Sequence, residues 1–156
     1  MPKLAQAGKG SGVFLFPYLR VSFSPLTDVV PAVQVRLSWK GKMKTAWMLV
    51  DTGSTATVIT PGIAEDLGLE TKEYPHPVRG IGSEIYVRSS RAYAQMLKAD
   101  TSGHQSSPLL LDPLLVVPEE ARLPIPLLGR RPFLEQFEFT LREDRREFVL
   151  RRLRKG

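Results

Sequence analysis

The chain has 156 residues, 22 basic and 16 acidic side chains, a formal charge of +6, two histidines and no cysteine. That length fits one domain able to bury a core without staples, and the lack of cysteine excludes disulfides and thiolate zinc sites. His76, between two prolines, and His104, in the polar run DTSGHQSS, read as loop residues, so neither a His-based metal site nor a Ser-His-Asp triad is expected, and no metal or cofactor is assigned.

Residues 1–12 (MPKLAQAGKGSG) read as a disordered lead-in without the apolar core of a signal peptide. No apolar run is long enough for a membrane-spanning helix. With no cysteine and no export signal, a cytoplasmic location and no membrane partner are expected. VFLFPYLRVSF (13–23) is rich in aromatic and branched residues and reads as a strand or two. In PAVQVRLSW (31–39), Val33, Val35, Leu37 and Trp39 share one face, KGKMK supplies a turn at Gly41, and TAWMLV (45–50) reads as a strand buried on both faces. These two strands form a hairpin. ATVIT (56–60) is a further short strand.

Thr60-Pro61 is a helix start, because Thr can cap and Pro is tolerated in the first turn, and Gly68 ends the short helix. EIYVRSSRAYAQMLKA (84–99) reads as strand with a polar interruption at Ser89-Ser90, DTSGHQSSP as a surface loop, and LLLDPLLVVP as strand with a kink or bulge at Asp112-Pro113. LPIPLLG leads to a second short helix over PFLEQF. FEFTL then pairs with EFVLR across the charged turn REDR. The chain is therefore expected to be all-β with one or two short helices, a small closed barrel or sandwich. The domain runs over 13–150 and is followed by a basic tail, 151–156.

Charge concentrates at the end: residues 141–156 hold seven basic and three acidic side chains. No aromatic residue interleaves the last basic run as a stacking platform, so a solvated strand edge is favoured and no nucleic-acid partner is expected. Binding of nucleic acid through 142–155 is the competing reading.

The informative stretch is LVDTGSTATVIT (49–60), where an apolar strand ends on Asp51. Asp-Thr-Gly is ordinary turn chemistry taken alone. In this context it also reads as a carboxylate held on a loop between two buried strands, with Gly53 permitting close approach of substrate backbone and Ser54 able to donate to the carboxylate.

This loop resembles the active-site loop of aspartic proteases of the retroviral type, the retropepsins, and the likeness extends through Thr57-Val58-Ile59. RGIGSEIYVR (79–88) resembles their Gly-rich flap, with Ile81 at the tip between Gly80 and Gly82. PLLGRRPFLEQF (126–137) resembles their third signature, in which Leu127, Leu128 and Gly129 pack beneath the loop and Arg130 follows. The three stretches stand in the family's order. The resemblance implies a closed acid-protease barrel with one lobe per chain, Asp51 as the catalytic residue, and Thr52, Gly53 and Ser54 as loop support. It implies substrate contacts from Gly53, Thr55, Ala56, Gly80, Ile81 and Gly82, and a flap over 78–87 that closes on a peptide or protein substrate.

That chemistry needs two carboxylates. The rival motif DTSG (100–103) lacks flanking apolar strands, and a single-chain, two-lobed enzyme would need roughly twice this length, as the resemblance implies. A C2 homodimer with Asp51 from each copy on the axis is therefore expected, with Thr52 bonding across it. A catalytically silent dimerisation or peptide-binding module of the same fold is the alternative.

The sequence departs from the retroviral pattern in places. Thr55 and Ala56 stand where several members carry acids, so Arg130 is expected to pair with a carbonyl or Glu135. Ser83 and Glu84 are unusual in a flap. The hairpin at 137–150 looks additional, which suggests a differently built dimer sheet. Ser54 in place of the frequent Ala is expected to shift activity toward acid by donating to Asp51.

Overall fold

The structure, a computed structural model, describes residues 10–154 except 24, 25, 81 and 82. In chain order the strands are β1 (Val13–Pro17), β2 (Leu19–Phe23), β3 (Leu26–Val30), β4 (Ala32–Trp39), β5 (Lys42–Val50), β6 (Val58–Ile59), β7 (Lys72–Glu73), β8 (Val78–Gly80), β9 (Ser83–Ile85), β10 (Arg88–Met96), β11 (Leu109–Val116), β12 (Leu127–Leu128), β13 (Phe137–Arg142) and β14 (Glu147–Arg152). One α-helix, α1 (Pro61–Asp66), lies between β6 and β7. Strands β11-β6-β12-β5-β4-β10 are hydrogen-bonded in that order, and β10 pairs again with β11. The ring closes into a six-stranded barrel, the all-β architecture expected, and closure removes the exposed edges an open sheet would carry.

The β4–β5 hairpin sets the barrel's inner face. Lys40 (φ 46°) and Gly41 (φ 82°) form a tight turn of two left-handed residues, which matches the twist of the flanking strands. The resulting register pairs Trp39 with Lys42 and Ala32 with Leu49. Val33, Val35 and Leu37 are fully buried, as their alternation requires. Trp39, expected on the same face, is half-buried at the rim, where it stacks on Tyr93 (centroids 6.1 Å apart) under the Arg91 guanidinium. The expectation that TAWMLV is buried on both faces is not met. Met48 and Val50 point inward, whereas Trp47 is 44% exposed, because a barrel strand has only one interior side.

Helix α1 begins as expected: the Thr60 hydroxyl accepts the Ile63 N–H at 3.3 Å, Pro61 occupies the first turn, and Gly68 follows the end. The strand break expected at Ser89-Ser90 lies instead at Tyr86-Val87, and β10 runs straight through both serines. They do not interrupt it because Ser89 pairs with Leu115 in the ladder and the Ser90 hydroxyl donates to the Glu70 carbonyl at 2.7 Å. The bulge sits where Asp112-Pro113 suggested, at the register shift between Ser90 and Ala92. The second expected helix, over PFLEQF, is a single 3-10 turn, Leu134–Gln136, whose first N–H groups reach back to the carbonyls of Gly129 and Arg130.

Outside the barrel, β1, β14 and β13 form a three-stranded antiparallel sheet. Phe16 stacks on Phe148 at 4.9 Å, and Phe14, Phe133, Phe137, Phe148 and Leu150 join the barrel interior in one core. A smaller cluster of Val58, Val87, Leu115 and Val117 lies beside it, with Val78 and Ile85 packed against it. Of the expected tail, Arg151 and Arg152 belong to β14.

Of the expected lead-in, residues 1–9 lie outside the described residues, and 10–12 are held by the loop after β10. The Asp100 carboxylate accepts four hydrogen bonds: from the N–H groups of Gly12 (3.0 Å), Ser102 (2.9 Å) and His104 (2.9 Å), and from the Ser102 hydroxyl (2.7 Å). Burial alone would push this carboxyl up, but the hydroxyl and the three backbone donors outweigh it and hold the group well below the usual carboxylate range. A depressed folded value contributes stability that is present above the unfolded value of about 3.9 and is lost as pH falls toward the folded one. Asp100→Asn should therefore lower the thermal midpoint at neutral pH, with the gap from the parent protein narrowing below about pH 4. Melting curves between neutral pH and pH 2 check this, and a gap that widens in acid would contradict it.

Candidate active site

The chain leaves β5 at Val50 and enters the loop at Asp51, whose N–H donates to the Leu128 carbonyl at 3.0 Å. β12 explains this contact. It runs parallel to β5, with Leu127 beside Leu49 and Leu128 beside Val50, and antiparallel to β6, with Leu127 beside Val58. The strand of the third signature thus threads between the strand entering the loop and the strand leaving it. Leu128 is fully buried in the main core and Leu127 is half-buried on the smaller cluster.

Beyond β12 a seam of backbone hydrogen bonds continues: Arg130 N–H to Ser54 carbonyl (2.9 Å), Arg131 N–H to Thr55 carbonyl (3.0 Å), and Thr57 N–H to Arg131 carbonyl (3.0 Å). At Gly129 the two segments meet so closely that a Cβ would overlap the Ala56 backbone carbonyl. Only glycine fits there. Thr57, noted in the sequence only as part of the returning strand, is 0% exposed, and its hydroxyl accepts the Gly129 N–H at 3.2 Å. A threonine before the buried pair Val58-Ile59 was the available signal, since a buried hydroxyl must find a partner.

The loop itself is tightly turned. Gly53 N–H donates to Asp51 Oδ1 at 2.9 Å, and Ser54 N–H to the Asp51 carbonyl at 3.2 Å. Any side chain at Gly53 would crowd that carboxylate oxygen, with its Cβ 3.1 Å away. Asp51 is half-buried, while Thr52 and Gly53 are exposed. Its second oxygen, Oδ2, takes no hydrogen bond from the described residues, so the carboxylate is fixed by one oxygen and open at the other. Ser54 differs from expectation: its hydroxyl donates to the Ala56 carbonyl at 2.7 Å, not to Asp51. Ser54 thereby braces the loop.

Arg130 also differs. The ion pair with Glu135 belongs to Arg131, at 3.8 Å between largely exposed groups, and contributes little. Arg130 lines a groove of about 650 Å³ together with Arg131, Leu134 and Glu135, Thr52 and Thr55 of the loop, and Phe137 and Phe139 of β13. Thr55 is exposed and Ala56 half-buried, their backbones tied to Arg131.

β8 and β9 form the hairpin expected of the flap, with Gly80 opposite Ser83. Ile81 and Gly82 lie outside the described residues. Glu84 pairs with Arg79 across the hairpin at 2.9 Å, and Val78 and Ile85 anchor its base on the cluster containing Val58, the strand that leaves the active-site loop. Asp100 of the rival DTSG motif has its carboxylate engaged by the four bonds described above. Among the described residues no group of three or more His, Asp or Glu side chains is placed to hold a metal ion.

The family model described as aspartyl protease matches residues 33–129, from the start of β4 to the glycine beneath the loop. Nothing among curated proteins matches the chain. Of the solved structures, 33 chains match. One is the EIAV protease complexed with the inhibitor HBY-793, at 19% identity over 70% of this chain and 88% of that one, with a TM-score of 0.45.

Two substitutions test the seam. Gly129→Ala forces the Ala56 carbonyl away and should cost at least about 2 kcal/mol. Thr57→Val leaves the Gly129 N–H buried without its acceptor and should cost about 1–3 kcal/mol. Gly62→Ala, on helix α1 with no heavy atom within 4 Å of the added Cβ, should be neutral or slightly stabilising. Urea denaturation of the three variants measures this, and equal midpoints for Gly129→Ala and Gly62→Ala would remove the packing argument.

Proposed function

The chain belongs to the aspartyl protease family, and on that premise we propose that it is an aspartic endopeptidase acting as a homodimer, with Asp51 of each protomer at a shared site. The observation that carries this reading is the state of Asp51: a single half-buried carboxylate on a rigidly braced loop, bonded through Oδ1 and with no hydrogen bond to Oδ2 among the described residues. One such group cannot serve as acid and base at once. The other DTG-like aspartate, Asp100, is committed to holding residues 10–12 and the loop after it. A second copy supplies what one chain lacks.

In the dimer the two carboxylates approach to about 3 Å, where both cannot ionise, and they share one proton. The ionised member takes a proton from a bound water as that water attacks the peptide carbonyl. The protonated member donates to the carbonyl oxygen, giving a tetrahedral diol with no covalent enzyme intermediate. Proton return to the amide nitrogen then releases the two peptide halves. The N–H of Gly53 holds Oδ1 in place throughout, so the carboxylates need little reorganisation. Thr52, exposed beside Asp51, bonds across the two-fold axis to the partner loop. The backbones of Gly53, Thr55 and Ala56 form the floor on which an extended substrate lies. The β8–β9 hairpin closes over it through Gly80, Ile81 and Gly82 and excludes water.

Asp51→Asn should reduce cleavage of a peptide library by at least about 10³-fold, and a statine-type mimic of the tetrahedral intermediate should inhibit the parent protein. Because each site takes one aspartate from each chain, excess Asp51→Asn protein mixed with the parent should suppress its activity by forming dead heterodimers. Unchanged activity in that mixture, with exchange between dimers confirmed, contradicts a shared site. Peptide binding without turnover in either protein would favour the silent-module reading.

A further inference from the structure

The β2–β3 hairpin belongs neither to the barrel nor to the three-stranded sheet: among the described residues β2 and β3 pair only with each other. The family match begins at residue 33, so the hairpin lies outside it. Its base nevertheless touches the start of the active-site loop. β3 runs through Pro31 into β4, and the Pro31 carbonyl accepts the Val50 N–H at 2.8 Å, one residue before Asp51. β5 ends there, because the Asp51 N–H turns to the Leu128 carbonyl and the chain leaves β4 behind. The Pro31 carbonyl therefore marks the side of the β3–β4 line on which β5 lies. Backbone groups alternate sides along an extended chain, so Val29 presents its N–H and carbonyl on that same side, about 7 Å further on. The Val29 N–H behaves as an edge group should: in an exposed bond it donates to the carboxylate of its own neighbour, Asp28, at 2.7 Å. β2 thus occupies the opposite edge of β3, and the edge in line with β5 is open.

We propose that this open edge of β3 binds the substrate beside the scissile bond: an extended peptide segment adds to β3 as a strand, in the line that β5 leaves at Val50. The proposal rests on the protease reading above and narrows the substrate class. The segment is extended, has no proline where it crosses Val29, and carries a basic side chain there. A peptide is the occupant because the edge continues directly from the strand that delivers Asp51, so a chain lying at the loop extends onto it. A two-stranded hairpin is marginal alone in water, and a third strand supplies the ladder it lacks. The charge of the segment follows from Asp28. When a substrate carbonyl takes the Val29 N–H, the Asp28 carboxylate is released. Asp28 is exposed, faces Val21 across the hairpin and has no ion-pair partner among the described residues. A lysine or arginine of the added strand satisfies it. Backbone hydrogen bonds supply the grip, and the exposed ion pair adds a preference of about threefold.

Peptides that the parent protein cleaves are compared in a short form of about six residues, spanning about 20 Å around the scissile bond, and a long form of about twelve. Two added backbone hydrogen bonds should raise kcat/KM of the long form over the short by about tenfold, mostly through KM. Val29→Pro removes the edge N–H at a place where proline is tolerated, and should bring that ratio close to one. Asp28→Lys should reverse the charge preference, so that long peptides with Glu in the flanking segment are cleaved better than those with Lys. Equal rates for long and short forms in the parent overturn the proposal and leave the protease reading standing. So does a Val29→Pro protein in which both forms slow alike with the ratio unchanged, since that marks a purely structural hairpin. If Val29→Pro instead converts a sedimenting dimer to monomer, the edge holds a second copy and the proposal is overturned. A parent that cleaves no peptide removes the protease reading and this one with it.

Discussion

The fold of this chain depends on one backbone seam. Residues 128–131 lie against residues 51–57 so closely that Gly129 has no room for a side chain, and four main-chain hydrogen bonds tie the segments together. The seam fixes the start of the loop through Asp51, its middle through Ser54 and Thr55, and its exit through Thr57. Segments far apart in sequence thus become one rigid unit, and the two-residue strand β12 is held between β5 and β6 although it is too short to persist alone. The acidic side chain is precise because its backbone cannot move, which is how a site on a loop acquires the rigidity usually supplied by a regular element.

On the dimeric reading proposed above, one chain holds half of the site. One carboxylate oxygen of Asp51 takes no hydrogen bond among the described residues, and the groove of about 650 Å³ beside its loop is lined by Thr52 and Thr55 of that loop, by Arg130, Arg131, Leu134 and Glu135, and by Phe137 and Phe139 of β13.

Much of this was legible in the sequence because local physics and global fold agree there. The β4–β5 hairpin, the Thr60-Pro61 helix start, the bulge at Asp112-Pro113 and the final hairpin each carry their own turn, cap or periodic signal. The order of the loop, flap and third signature pointed to the family. What the sequence hid depended on which partner a group meets across space. TAWMLV is uniformly apolar, yet Trp47 faces outward because barrel curvature gives its strand one interior side. Ser89-Ser90 looked like an interruption, but ladder pairing and the Glu70 carbonyl satisfy those serines within a strand. The Ser54 hydroxyl was expected on Asp51, but the fold of the turn gives it the Ala56 carbonyl instead. Arg130 and Arg131 are adjacent and chemically identical, so which of them meets Glu135 could not be read without the path of the 3-10 turn between them and Phe137. Thr57 was visible but its buried role was not, because the N–H it accepts lies 72 residues away.

The central claim is that one carboxylate per chain becomes catalytic only when it meets its twin. Specific activity measured across a dilution series, alongside sedimentation of the same samples, tests this most directly. A rate proportional to the square of protein concentration is expected where the monomer dominates, approaching direct proportionality as the dimer fills. Constant specific activity at dilutions where only monomer sediments would contradict it.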